Sequence, residues 1–143
     1  MLDPRSVPDP VGSREADEAK PRVVVLVRDP AEGLQAALID EKWTLVPCGD
    51  APALLEAIVA QRPNVIVVAF SRALAGSGLL SLVRRAAPQI PLILLADEGD
   101  LELQRMLQHA RPYYYDVVPF DPDELHQAVR SALAPSRSRR AIP

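Results

Sequence analysis

The strongest constraint in this sequence is a set of apolar runs that do not alternate. Val23-Val24-Val25-Leu26-Val27, Val65-Ile66-Val67-Val68-Ala69-Phe70 and Leu92-Ile93-Leu94-Leu95 are each continuous hydrocarbon. A strand with one face in water shows a period of two. Uninterrupted runs therefore predict strands covered on both faces, as in a parallel sheet. Two weaker runs, 43–47 and 114–118, suit more exposed positions in the same sheet.

Between the runs the pattern becomes helical. Leu34 and Leu38 stand four apart, and Asp50 can cap a segment whose apolar face holds Leu54, Leu55 and Ile58. Leu79, Leu82, Val83 and Ala86 follow i, i+3, i+4, i+7 spacing, as do Leu103, Met106, Leu107 and Ala110 behind a cap at Asp100. Asp121-Pro122-Asp123-Glu124 supplies a cap, a proline at the first helical position and an early acid. Leu125, Ala128, Val129, Ala132 and Leu133 then form one stripe, which ends before Pro135.

The chain thus reads strand then helix, five times over. With right-handed crossovers this predicts an α/β fold, a flavodoxin-like (βα)5 doubly wound sandwich whose parallel five-stranded sheet has the order 2-1-3-4-5. Residues 1–20, with Pro4, Pro8 and Pro10 among small and charged side chains, read as a flexible leader. The domain is expected over 21–134, followed by a basic tail at 135–143 carrying Arg137, Arg139 and Arg140.

Composition narrows the function. Of the 143 residues, 48% are hydrophobic but only 4% aromatic, so aliphatic side chains must fill the core. The lone Cys48 excludes a disulfide framework or a multi-cysteine zinc site, and reads as a buried thiol. His109 and His126, placed on the polar sides of their helices, read as solvated. No apolar run approaches the roughly 20 residues of a membrane span, and 1–20 has no signal-peptide core, so a cytoplasmic protein is expected. The formal charge is −3, and because the tail is basic the body is more acidic than the whole chain. That speaks against a nucleic-acid partner.

In a sheet of this order, ligands gather at the carboxyl ends of the strands where the order reverses, here between the first and third strands. Val27, Arg28 and Asp29 would face Ala69, Phe70 and Ser71, flanked by Ala96 and Val118. Little chemistry is found there. Ser71 has no neighbouring base, Gly76-Ser77-Gly78 lacks the pattern of a phosphate loop, and Asp97-Glu98-Gly99-Asp100 is explained by solubility and capping.

Val117-Val118-Pro119-Phe120-Asp121-Pro122-Asp123-Glu124-Leu125 resembles the strand-five ending and helix-five start of two-component response-regulator receiver domains. Pro63-Asn64-Val65-Ile66-Val67-Val68, Ile90-Pro91-Leu92-Ile93-Leu94-Leu95 and the stretch from Arg22 to Pro30 resemble the receiver's third, fourth and first strands. The resemblance implies a site where two acids hold Mg²⁺, an aspartate accepts phosphate, and a hydroxyl and a lysine contact the phosphoryl oxygens. In this chain the acid pair falls on Val27 and Arg28, the acceptor on Ala69, the hydroxyl on Ala96 and the lysine on Val118. Every position is replaced. The expectation is a degenerate receiver, a pseudo-receiver without phosphotransfer, enzymatic activity, metal or cofactor.

The resemblance also implies a cis peptide at Val118–Pro119 and makes Tyr115 the aromatic switch, expected to turn inward beside the small Ala96. Alternation would put Tyr113 and Tyr115 on one face and Tyr114 on the other. These tyrosines, with His109 and His126, are candidates for a partner-binding face formed by the fourth helix, fifth strand and fifth helix. A protein partner or a second copy would dock there, in a bacterial regulatory pathway. The alternative is an anionic small molecule held at the strand ends by Arg28, with Asp29 and Ser71.

Overall fold

The computed structural model describes residues 20–27, 33–71, 74, 77–97 and 99–134. The leader (apart from Lys20) and the tail, together with Arg28 and Asp29, lie outside the described residues. The elements run β1 (Arg22–Leu26), α1 (Leu34–Ala37), β2 (Thr44–Cys48), α2 (Ala51–Gln61) and β3 (Val65–Phe70). They continue with α3 (Leu79–Ala86), β4 (Leu92–Asp97), α4 (Leu101–His109), β5 (Tyr114–Val118) and α5 (Pro122–Ala132). All strand pairs are parallel and the order is β2-β1-β3-β4-β5. The expected fold is the observed one.

Burial explains why the central runs are continuous. Every residue of β3 is buried, whereas no residue of the edge strand β5 is fully buried. Along each central strand, successive side chains enter different cores. Val24, Leu26, Ile66, Val68, Phe70, Leu92, Leu94 and Ala96 pack with Leu54 and Ile58 of α2, Leu79 and Val83 of α3, and Leu103 and Leu107 of α4. Val23, Val25, Val65, Val67, Ala69, Ile93 and Leu95 pack instead with Leu34 of α1 and with Leu125, Ala128, Val129 and Ala132 of α5. Two apolar faces require hydrocarbon at both parities of the strand, so the period of two disappears.

The caps form as the sequence predicts. Asp50 accepts from the Ala53 N–H at 2.8 Å, Asp100 from Leu103 at 3.0 Å, and Asp121 from Asp123 at 2.9 Å. Two helical stripes are narrower than their spacing implied. Leu79 and Val83 are buried in α3, but Leu82 stays 46% exposed; in α4 Leu103 and Leu107 are buried, but Met106 stays 45% exposed. Each helix lies over the sheet on one line of contact, so the flanking i+3 side chain rides at the edge.

His126 corrects a second expectation. It is not fully solvated. Its Nε2 lies 2.8 Å from Asp40 Oδ2, and its ring centroid is 4.9 Å from that of Trp43. Trp43 is itself buried and donates its indole N–H to the Leu38 carbonyl at 2.8 Å. His126 thus ties α5 to the segment joining α1 and β2 while part of its ring stays in water.

Candidate functional site

At the switch point β1 and β3 are neighbours, with Leu26 in register with Val68. Val27 follows, half-buried, its N–H donating to the Cys48 carbonyl at 2.9 Å. Ala69 is 1% exposed, Ala96 is fully buried, and Val118 packs its side chain against the α5 side. A hard cation takes oxygen ligands. The side chains of Val27, Ala69, Ala96 and Val118 are hydrocarbon and supply no carboxylate, so these positions do not fit the Mg²⁺ that the resemblance implies.

Of the polar strand-end groups, Asp97 closes β4 opposite Val118, and Ser71 is already engaged. Ser71 Oγ accepts from the Leu74 N–H at 3.1 Å and shapes the turn after β3. Ser71 also borders a cavity of about 250 Å³ with Leu26, Gly49, Asp50 and Ala51. The charged side chain of that lining is the Asp50 carboxylate, which works against an anionic ligand. Cys48 is 6% exposed, and burial first, then the Asp50 charge, pushes its thiol pKa up, as an inert thiol requires.

The structure places the tyrosines differently from simple alternation. The strand begins at Tyr114, so alternation does not extend back to Tyr113. Tyr113 lies on the α5 side with Tyr114, its hydroxyl 2.7 Å from Ser131 Oγ. Both rings line a groove of about 490 Å³ with Asp123, Glu124, Gln127, Ala128 and Ser131 of α5. Tyr114 donates its hydroxyl to Asp116 Oδ2 at 3.2 Å. Burial, the adjacent Asp116 and the charges of Glu124 and Asp121 push its phenol pKa up to about 12. Tyr115 turns the other way, packing against the core beneath α4 that contains Phe70 and Ala96. Its ring is inward as expected, but its hydroxyl is buried with no hydrogen-bond partner. Val118–Pro119 is cis.

The sequence reading found the tyrosines of this groove and missed its α5 wall. The signal was available: Asp123, Gln127 and Ser131 recur every four residues, a polar stripe beside the apolar one. His109 lies elsewhere, exposed in a separate groove between α3 and α4 with Arg84, Arg85 and Met106. Arg84 there donates to the Ala110 and Arg111 carbonyls, both at 2.9 Å.

The sheet order and helix placement match those of solved signalling domains. The receiver domain of a putative LuxO repressor protein from Vibrio parahaemolyticus aligns with a TM-score of 0.70 at 15% identity, over 86% of this chain and 97% of its own. A response-regulator receiver from Clostridium thermocellum gives 0.69 at 15% identity, over 85% and 99%. The fold is that of a receiver domain.

At the sequence level, the nitrogen assimilation regulatory protein NtrX of Azorhizobium caulinodans is 29% identical over 114 residues, 77% of this chain. That match spans only 25% of NtrX, so the chain corresponds to about a quarter of that relative. The NtrX structure from Brucella abortus aligns with a TM-score of 0.70 at 22% identity, over 86% of this chain and 28% of its own. No protein-family model matches the chain. Among the described residues, no three His, Cys, Asp or Glu side chains are grouped to hold a metal, and no helix is long and apolar enough to cross a membrane.

Proposed function

We propose that this receiver-fold protein is a phosphorylation-independent signalling module. It works by binding another protein in a bacterial two-component-type pathway and catalyses no reaction of its own. The observation that carries this reading is the hydrocarbon at the receiver's chemical positions. The Ala69 side chain has no oxygen to accept a phosphoryl group, and the Ala96 side chain has none to contact one. A phosphoryl group would also need Mg²⁺, and Val27 contributes no ligand to it.

The face formed by α4, β5 and α5 supplies the partner surface. Tyr113 is 41% exposed there, and Tyr114 lines the adjoining groove with it. Large apolar and amphipathic side chains left in water on one face are characteristic of interaction sites. The decisive experiment is incubation with acetyl phosphate and Mg²⁺ followed by intact mass. An unshifted mass supports the reading, and one stoichiometric phosphoryl adduct overturns it. Capture of a sensor or regulator protein by the wild type, lost with Tyr114→Lys, identifies the face.

A further inference from the structure

The groove between β5 and α5 has a definite electrostatic character. Its floor is the Ala128 methyl and the Tyr113 and Tyr114 rings, and its walls carry Asp123 and Glu124. Neither of those two carboxylates has an ion-pair partner among the described residues. Asp116 and Asp121 lie near the same ring: burial first, and then the charges of Asp116, Glu124 and Asp121, raise the Tyr114 phenol pKa. Ser131 closes the other end, one turn before the last described residue, Ala134.

The sequence continues from Ala134 as Pro135-Ser136-Arg137-Ser138-Arg139-Arg140. We propose that this segment docks back into the groove of its own chain, Arg137 over the tyrosines and Arg139 or Arg140 on Asp123 and Glu124. The inference rests on the preceding reading of this face as the partner surface and adds its regulation: the tail occupies the face until a partner displaces it.

Three observations converge on this occupant. Reach is the first. From Ala134 back to Asp123 is about 16 Å along α5 at ~1.5 Å per residue; six residues to Arg140 extend to at most about 20 Å, and the length of the arginine side chain offsets what the reversal of direction uses. The helix itself ends at Ala132 with Leu133 as its C-cap, beside Ser131 at the end of the groove, and Pro135 has no N–H with which to extend it. Chemistry is the second. A guanidinium can stack on a tyrosine face and fork onto a carboxylate, and this groove offers both within one length of helix. Charge is the third: the segment carries three arginines, and Asp123 and Glu124 have no ion-pair partner among the described residues. Each exposed pair is weak alone, but a tether this short supplies an effective concentration of roughly millimolar order.

The test uses the full chain with Cys48→Ala and a nitroxide on Ala141→Cys. Amide NMR at low salt is expected to show Asp123, Glu124 and Gln127 broadened at least fivefold more than Gln61 and Asn64, at the opposite end of the sheet. Arg137→Glu/Arg139→Glu/Arg140→Glu should abolish that difference while preserving the core shifts, and so should Asp123→Lys/Glu124→Lys. Broadening that is uniform, or unchanged in the tail variant, overturns the proposal. Mixing spin-labelled chains with ¹⁵N chains lacking the label separates a second source. Broadening in the mixture as strong as within one chain means the tail of another copy occupies the groove, which also overturns it. None of these readouts depends on phosphorylation. A phosphoryl adduct with the tail docked refutes the functional reading alone, and an undocked tail with an unshifted mass refutes this inference alone.

Discussion

Replacing Tyr115 by Phe is expected to stabilise the protein. The ring packs against the Leu-rich core beneath α4, while its hydroxyl is removed from water without any hydrogen-bond partner. A buried, unsatisfied polar group costs about 1–3 kcal/mol, whereas the ring's own burial is unaffected by removing one oxygen. Because Tyr115 is only partly buried and its hydroxyl can recover some hydration by local opening, the lower half of that range applies, about 1–2 kcal/mol. In a domain of this size, 1 kcal/mol moves Tm by roughly 4 °C, so Tyr115→Phe should raise Tm by about 4–8 °C.

The assay is urea unfolding with calorimetry as a second probe, and Tyr113→Phe as the contrast. That variant loses an exposed hydroxyl pair with Ser131 and should change stability by less than about 1 kcal/mol, in the destabilising direction. A pH series adds an independent check. Burial, and then the Asp116 charge, raise the Tyr115 phenol pKa above 10.0 in the folded state. Between the unfolded and folded values the native state holds the extra proton, so this group's contribution is complete below pH 10.0 and is lost as pH rises further. The advantage of Tyr115→Phe should therefore widen above that pH. A Tyr115→Phe protein that is less stable than wild type at neutral pH would show that the hydroxyl has a structural partner and refute the reasoning.

Ala69→Asp puts a carboxylate at the position that the resemblance assigns to the acceptor, where Ala69 is only 1% exposed. It should cost about 2–4 kcal/mol in urea unfolding and still take up no phosphate from acetyl phosphate by intact mass. Asp121→Ala removes the cap that accepts from Asp123 and Glu124, and should cost about 1 kcal/mol by chemical denaturation. The Lys42 N–H first, and His126 in part, hold the Asp40 carboxyl below its ordinary 3.8, so its stabilisation is present above that pH and lost as pH falls through the lower folded value. Asp40→Asn should accordingly flatten the acid limb of a Tm-versus-pH curve, leaving the alkaline limb unchanged.

The sequence alone determined the fold, because its signals are local and redundant. Unbroken Val/Ile/Leu runs can be satisfied only by strands covered on both faces, and Asp50, Asp100 and Asp121 mark helix starts by hydrogen bonds that span three residues or fewer. It also showed that Ala69 and Ala96, the positions that the resemblance assigns to the acceptor and the hydroxyl, carry no polar side-chain atom. What depended on distant parts of the chain was decided by the tertiary structure. His126 reads as a surface residue on its helix, and only the crossover that lays α5 beside the segment after α1 brings Asp40 and Trp43 to it. The direction of Tyr113 was set by where β5 begins and by Ser131 on α5, not by its parity with Tyr115. The groove likewise exists in neither β5 nor α5 separately. A periodic pattern records which side chains share a face of one element, but which faces meet is fixed by how the elements pack, and a binding surface is made of those meetings.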